Sequence, residues 1–131
     1  MTDSSIQRNT RQRQEVMENV MARCDHPSAD DIYLSLRAED PKISRGTVYR
    51  NLSILSENEE IGHVRVPGAD RFDSRLDRHY HIICTRCGKV IDSPVDYIEA
   101  NDDMTEKASG FVITRHRTIF EGICPECQKE E

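Results

Sequence analysis

The stretch ISRGTVYRNLSIL, residues 43–55, reads as a helix with its start signal attached. Ser44 is a residue type that caps a helix by accepting a backbone N–H. Ile43 before it and Val48 after it have the spacing of a hydrophobic staple. On a helical projection Val48, Leu52 and Leu55 share one face. Gly46, Arg50 and Ser53 lie opposite, with Arg45 and Tyr49 on the flank. Such a helix packs on a core and turns a basic, aromatic surface outward.

The flanking sequence fits the same scheme. Upstream, Thr10 is placed to cap a helix over 10–23, with Val16, Val20 and Met21 recurring on one side. His26-Pro27 breaks the chain. Ser28 then caps a second helix, with Asp31 at capping-box spacing and Ile32, Leu36 and the Tyr33 ring facing inward. A turn at Glu39-Asp40-Pro41 leads into the opening stretch. Downstream, IGHVRV and RFDS bracket Pro67-Gly68-Ala69-Asp70, which predicts a hairpin. Three helices followed by a hairpin is the order of a winged helix-turn-helix.

The second half reads as strand, strand, helix, strand. HYHIIC and KVIDS are β-like and join through a Cys-x-x-Cys-Gly turn. A helix is expected over 96–109, with Asp96 and Glu99 at capping spacing and Gly110 at its end. FVITRHRTIF, residues 111–120, is expected as a third strand. The fold class is α+β: a winged-helix domain over 1–72 and a small α/β domain over 73–131.

With 131 residues and 36% hydrophobic content, two small lobes have little core to spare and want a staple such as a metal or a partner chain. No apolar run approaches the ~20 residues that span a bilayer, and the N-terminal residues carry no apolar signal core. A cytoplasmic, membrane-free location is the expectation, where the five cysteines stay reduced and read as metal ligands. The net charge is −6, and residues 1–66 hold 9 Lys+Arg against 11 Asp+Glu. Any contact with nucleic acid must come from a few placed basic residues.

Cys84-x-x-Cys87 and Cys124-x-x-Cys127 carry the strongest chemical signal. Each turn puts two thiolates on one side of a tight loop, and two turns supply a closed tetrahedral zinc site. The 36 residues between the pairs leave room for a helix and a strand, so zinc would pin the C-terminal tail to the first hairpin of the second lobe. A redox pair needs only two cysteines and leaves the other two unexplained. Cys24 stands apart as a small apolar residue at a helix end.

The histidines point to a second site. On a strand His79 and His81 face one side and Tyr80 the other, while Cys84, an odd step from His81, leans away into the turn. Asp73, Asp92 and His26 are the available partners. Neutral imidazoles with carboxylates suit Fe(II), Mn(II) or Zn(II). A site that draws on both lobes would let metal occupancy control their arrangement.

HPSADDIY, RGTVYRNL, RFD, HYHIICTRCGKVID and CPEC, in this order from about residue 10 to Cys127, resemble the ferric uptake regulator family. The resemblance implies a winged helix followed by a dimerisation domain, and a metal-dependent transcriptional repressor rather than an enzyme. It places structural zinc on Cys84, Cys87, Cys124 and Cys127. It places a regulatory Fe(II) or Mn(II) on His26, Asp73, His79, His81 and Asp92. Asp at both 73 and 92 is similar to the peroxide-sensing, PerR-like branch, in which iron-catalysed oxidation of a ligand histidine releases metal and DNA. Here the matching histidines are His26 and His79. The family's third site maps to Arg78, Tyr80, Glu99 and His116. Arg78 and Tyr80 stand where iron sensors have His and Asp, so Glu99 and His116 read as a remnant, with His116 hydrogen-bonded on a strand.

Arg45, Tyr49 and Arg50 are the residues expected to meet DNA, with Arg11, Arg13 and the wing residue Arg65 on backbone phosphates. A homodimer on a near-palindromic operator is implied. The segment before Thr10 is short against the family's basic first helix, so a shallow salt dependence is expected. Three other functions stay open on the sequence: an iron-, manganese- or zinc-responsive uptake regulator of the same family, a zinc-stapled interaction module, and a metal hydrolase. The last lacks an evident general base.

Overall fold

A computed structural model describes residues 4–129. The chain divides into two compact units, Met1–Leu76 and Asp77–Glu131. The first holds helices α1 (Ser4–Met21), α2 (Ala29–Glu39) and α3 (Arg45–Glu57), then strands β1 (Gly62–Val64) and β2 (Arg71–Asp73). This is the winged helix-turn-helix order.

α1 begins at Ser4 rather than at Thr10, so Thr10 lies inside the helix and not at its cap. Residues 4–9 contain neither Pro nor Gly, and nothing in them stops the helix from extending backward. α2 starts as its sequence dictates. The Ser28 hydroxyl accepts from the Asp31 N–H at 3.2 Å, and the Asp31 carboxylate accepts from the Ser28 N–H at 3.0 Å. Ser44 Oγ likewise accepts from the Thr47 N–H at 3.1 Å. Val16, Val20, Ile32, Leu36, Ile43, Val48, Leu52, Leu55, Ile61 and Phe72 form the core. Asn51 is buried beside them, which the apolar projection did not foresee. Its carboxamide donates to the Thr47 carbonyl at 3.0 Å and accepts from Arg13 Nε at 3.2 Å, so its burial is satisfied.

β1 and β2 pair antiparallel with Gly62 opposite Asp73. A Cβ on Gly62 would come within 2.9 Å of the Arg75 carbonyl oxygen. The chain leaving β2 can therefore pass close to β1 only over a glycine.

The second unit contains β3 (His81–Cys84), β4 (Val90–Asp92), α4 (Glu99–Ser109), β5 (Ile119–Gly122) and the short α5 (Pro125–Gln128). The sheet order is β4-β3-β5, with β4 antiparallel and β5 parallel to β3. A parallel return needs a crossover, and α4 supplies it. Two sequence expectations shift here. α4 starts at Glu99 after Ile98, with no side-chain cap, so the Asp96–Glu99 capping pair does not form. The third strand is four residues long, and 111–118 run outside any named strand. Gly110 ends α4 in the left-handed region, φ 78°, as expected of it. Tyr80, Ile83, Cys84, Val90 and Cys127 are the buried apolar residues of this unit, while Phe111 and Val112 are 71% and 85% exposed. No helix among the described residues is long and apolar enough to cross a membrane.

Candidate functional site

The cysteine cluster is assembled by three local devices. β3 ends at Cys84, and the turn after Cys87 closes through Gly88 at φ 79°. β5 lies beside β3, and the Thr85 N–H donates to the Gly122 carbonyl at 2.8 Å, which brings the chain end back to the turn. Pro125 then opens α5 at its first turn, with Cys124 at the N-cap and Cys127 on the inner face. All four sulfurs lie within 4.8 Å of one another. Cys84 Sγ is 3.8 Å from Cys127 Sγ, and Cys87 Sγ is 3.9 Å from Cys124 Sγ. A tetrahedron with zinc–sulfur bonds of ~2.3 Å has edges of about 3.8 Å. The donor set therefore fits a tetrahedral zinc ion.

Backbone N–H groups of Cys87 and then Cys124 point at Cys84 Sγ and pull its thiol down to about 6 from the ordinary 9.0. Cys127, hydrogen-bonded with Cys124 and buried, is pushed up to about 12. The Cys84 sulfur is thus prepared as a thiolate before that of Cys127. Cys24 is exposed and takes no part in this cluster.

Each unit also pairs imidazole with carboxylate. In the first, His26 Nε2 lies 3.4 Å from Asp73 Oδ2, both residues being buried. The backbone there is unusual. His26 has φ 52°, and β2 holds it: Arg71 donates to the His26 carbonyl at 3.2 Å and the Phe72 N–H to the Pro27 carbonyl at 2.9 Å. In the second unit His81 is the cross-strand partner of Asp92, with Nε2 3.5 Å from Asp92 Oδ1. His79 Nε2 is 3.1 Å from the same oxygen. His79 Nδ1–H donates to the Asp77 carbonyl at 2.6 Å, which leaves Nε2 as the nitrogen with the lone pair. His79 precedes β3 yet shares a side with His81, their rings 4.5 Å apart, while Tyr80 is buried on the other side. Neighbouring ligands in a shell with bonds of about 2.1 Å sit about 3 Å apart, so each of these groupings suits a shared cation.

The positions expected as a remnant of a third site carry a hydrogen-bonded network. His116 Nε2 faces the Tyr80 hydroxyl at 2.5 Å, and Nδ1 faces Asp102 Oδ1 at 2.7 Å. Tyr97 donates to the other Asp102 oxygen and accepts from the His116 N–H at 2.9 Å. The Tyr80 oxygen accepts from the Ile98 N–H at 3.0 Å. Both ring nitrogens of His116 are engaged. Glu99 is exposed in the first turn of α4; Asp102, further along the helix, is the acid that meets His116. His116 is hydrogen-bonded as expected but lies outside any strand. Sequence reading missed Asp102 and Tyr97. The signal was weak: the apolar row of EANDDMTEKAS is only Ala100, Met104 and Ala108, Met104 is exposed, and the residue this helix buries is Asp102. Tyr80→Phe removes a buried hydroxyl with partners on both sides, and thermal unfolding should register a loss of about 1–3 kcal/mol.

The ferric uptake regulator family model matches residues 5–121. The chain belongs to the ferric uptake regulator family. It is 35% identical over 127 residues to the peroxide-responsive repressor PerR of Staphylococcus epidermidis, covering 94% of this chain and 83% of that protein. It is 35% identical over 125 residues to the peroxide operon regulator of Bacillus subtilis, covering 95% and 86%. Among solved structures, the Helicobacter pylori ferric uptake regulator Fur, described with three functional metal binding sites, superposes with a TM-score of 0.78 at 29% identity over 95% of this chain and 87% of that one. The Campylobacter jejuni peroxide stress regulator superposes with a TM-score of 0.79 at 26% identity, over 95% and 94%.

The residues expected to meet DNA lie on the outward face of α3 and beside it. Arg45, Tyr49 and Arg50 are all exposed there, and Arg65 is exposed after β1. Arg11 is exposed on α1, whereas Arg13 is half-buried and tied to Asn51. Arg45 and Tyr49 are not idle: both bond to Asp30 of α2.

Proposed function

We propose that this member of the family is a metal-dependent transcriptional repressor that responds to peroxide. It works as a cytoplasmic homodimer on a near-palindromic DNA operator. The observation that carries the reading is the repeated pairing of imidazole and aspartate, His26 with Asp73 and His79 with His81 around Asp92, in a chain whose relatives include peroxide-responsive repressors. In this reading Cys84, Cys87, Cys124 and Cys127 hold structural zinc. His26, Asp73, His79, His81 and Asp92 hold one regulatory Fe(II) or Mn(II), which fixes the winged helix relative to the dimerisation domain. In this reading the winged helix is the first unit, Met1–Leu76, and the dimerisation domain the second, Asp77–Glu131.

These five residues would hold Fe(II), which when bound would supply the reduction of peroxide, one oxygen leaving as water. The chain supplies the target: an imidazole of His26 or His79 takes up oxygen, and its nitrogen becomes a poorer ligand. Asp73 and Asp92 provide hard oxygen donors that suit a reactive divalent iron. Arg45, Tyr49 and Arg50 read the operator, and Arg11, Arg13 and Arg65 hold its backbone. The exposed apolar side chains of the second unit, Phe111 and Val112 foremost, offer a second copy a surface to cover. With both ring nitrogens of His116 taken by Tyr80 and Asp102, this reading has two ions per chain, where the Helicobacter protein is described with three sites.

Peroxide treatment of the zinc-replete protein tests this. The Fe(II) form should gain the mass of one oxygen atom on a peptide containing His26 or His79 and lose DNA, while the Mn(II) form does neither. If the Fe(II) form stays unmodified, the chain is instead an iron-, manganese- or zinc-responsive uptake regulator, whose metals the same donors would hold.

A further inference from the structure

We propose that Asp30 is an internal stand-in for a DNA phosphate, an anion that occupies Arg45 and Tyr49 in the free protein and opposes the duplex once they are taken. The inference rests on the reading that α3 contacts DNA. One carboxylate oxygen, Asp30 Oδ1, accepts from the Tyr49 hydroxyl at 2.7 Å and also from the Arg45 guanidinium. A phosphate oxygen asks for the same two donors in the same arrangement. Arg45 further lies over the Tyr33 ring of α2, 4.6 Å from its centroid, so the guanidinium rests against α2.

The pair is open to exchange. The Arg45 and Asp30 side chains are 54% and 56% exposed, and exposed ion pairs are weak. Replacing one oxygen by another on these donors is close to neutral. What remains is the displaced carboxylate. Asp30 lies in the first turn of α2, where the helix dipole favours an anion. It then faces a polyanion on the surface that binds it. Asp30 thereby caps the affinity of a protein that already carries a net charge of −6, and no single contact suffices to hold DNA.

The test uses the full chain loaded with zinc and Mn(II), and a duplex enriched from a randomised pool on that same protein. Asp30→Asn keeps the size of the side chain and an acceptor for Tyr49 while removing the charge. Fluorescence anisotropy should show binding about three- to tenfold tighter at low salt, with the gain fading as salt rises. Asp30→Ala should show the same gain, and in an Arg45→Ala background Asp30→Asn should gain less. Circular dichroism checks that each variant is folded. Equal or weaker binding by both folded Asp30 variants overturns the proposal and makes Asp30 a positioning residue. If the wild type enriches no duplex, the regulator reading itself falls, and this proposal with it.

Discussion

Cys127→Ser is expected to cost the second unit its zinc and most of its folded structure. A serine hydroxyl is a poor substitute for a thiolate, and the loss strikes where little else holds the chain. Apart from the two buried cysteines, the buried apolar residues described in that unit are Tyr80, Ile83 and Val90. Zinc contributes about 10–16 kcal/mol of apparent binding energy to folding in small zinc domains near neutral pH. A four-residue helix such as α5 has no cooperative stability of its own. Elemental analysis should find zinc falling from one per chain toward none, and the melting profile should lose the second unit's transition while α1 to α3 keep theirs. One zinc per chain with an unchanged melt in this variant would count against the assignment.

The same cluster predicts a direction with pH. The Cys84 thiol is held at about 6, below its ordinary 9.0, by the N–H groups of Cys87 and Cys124. A depressed pKa stabilises the fold fully above about 9 and loses that contribution as pH falls through about 6. Below that, protons also compete with metal for the Cys84 sulfur, so a chelator should strip zinc faster on the acid side of pH 6.

The second large effect is expected from His81→Ala. His81 and Asp92 are partners in the β3–β4 ladder, so their positions are set by backbone pairing and not by loop conformation. Removing a partner that merely orients a metal ligand costs about 10–100-fold in affinity, and removing a ligand should cost about 100-fold or more. Calorimetric titration of the zinc-replete variant with Mn(II) should show that loss, and Mn(II)-dependent DNA binding should fall in step. Zinc content should not change, because β3 carries Cys84 on a separate ligand set. Retained Mn(II) affinity in His81→Ala would remove this histidine from the proposed regulatory site.

Much of this protein was legible in its residues because the signals were local. Ser28 with Asp31, Ser44 with Thr47, and the Val48, Leu52, Leu55 stripe each depend on contacts within a turn or two of helix, and they appear where their spacing puts them. The paired Cys-x-x-Cys turns belong to the same class, as does the alternation that sets His79 and His81 on one side and Tyr80 on the other. Helix α1 departed from expectation because a cap residue permits a start without forbidding an earlier one. The strand expected over 111–120 departed for a different reason. β-propensity describes a residue's fit to a neighbour, and a strand forms only where a partner strand is present.

The sequence alone determined the Ser28 and Ser44 caps, the Val48, Leu52 and Leu55 face, the sulfur pairs and the family, since each follows from short-range geometry or from ordered motifs. Only the tertiary structure decided which distant groups share an atom. Asp102 reaches His116 across fourteen positions, and Asp30 takes Tyr49 across nineteen. Neither spacing has a period that reading along the chain can detect. Such pairs are set by how helices and strands pack, because a carboxylate finds its partner through space and is indifferent to the length of chain between them.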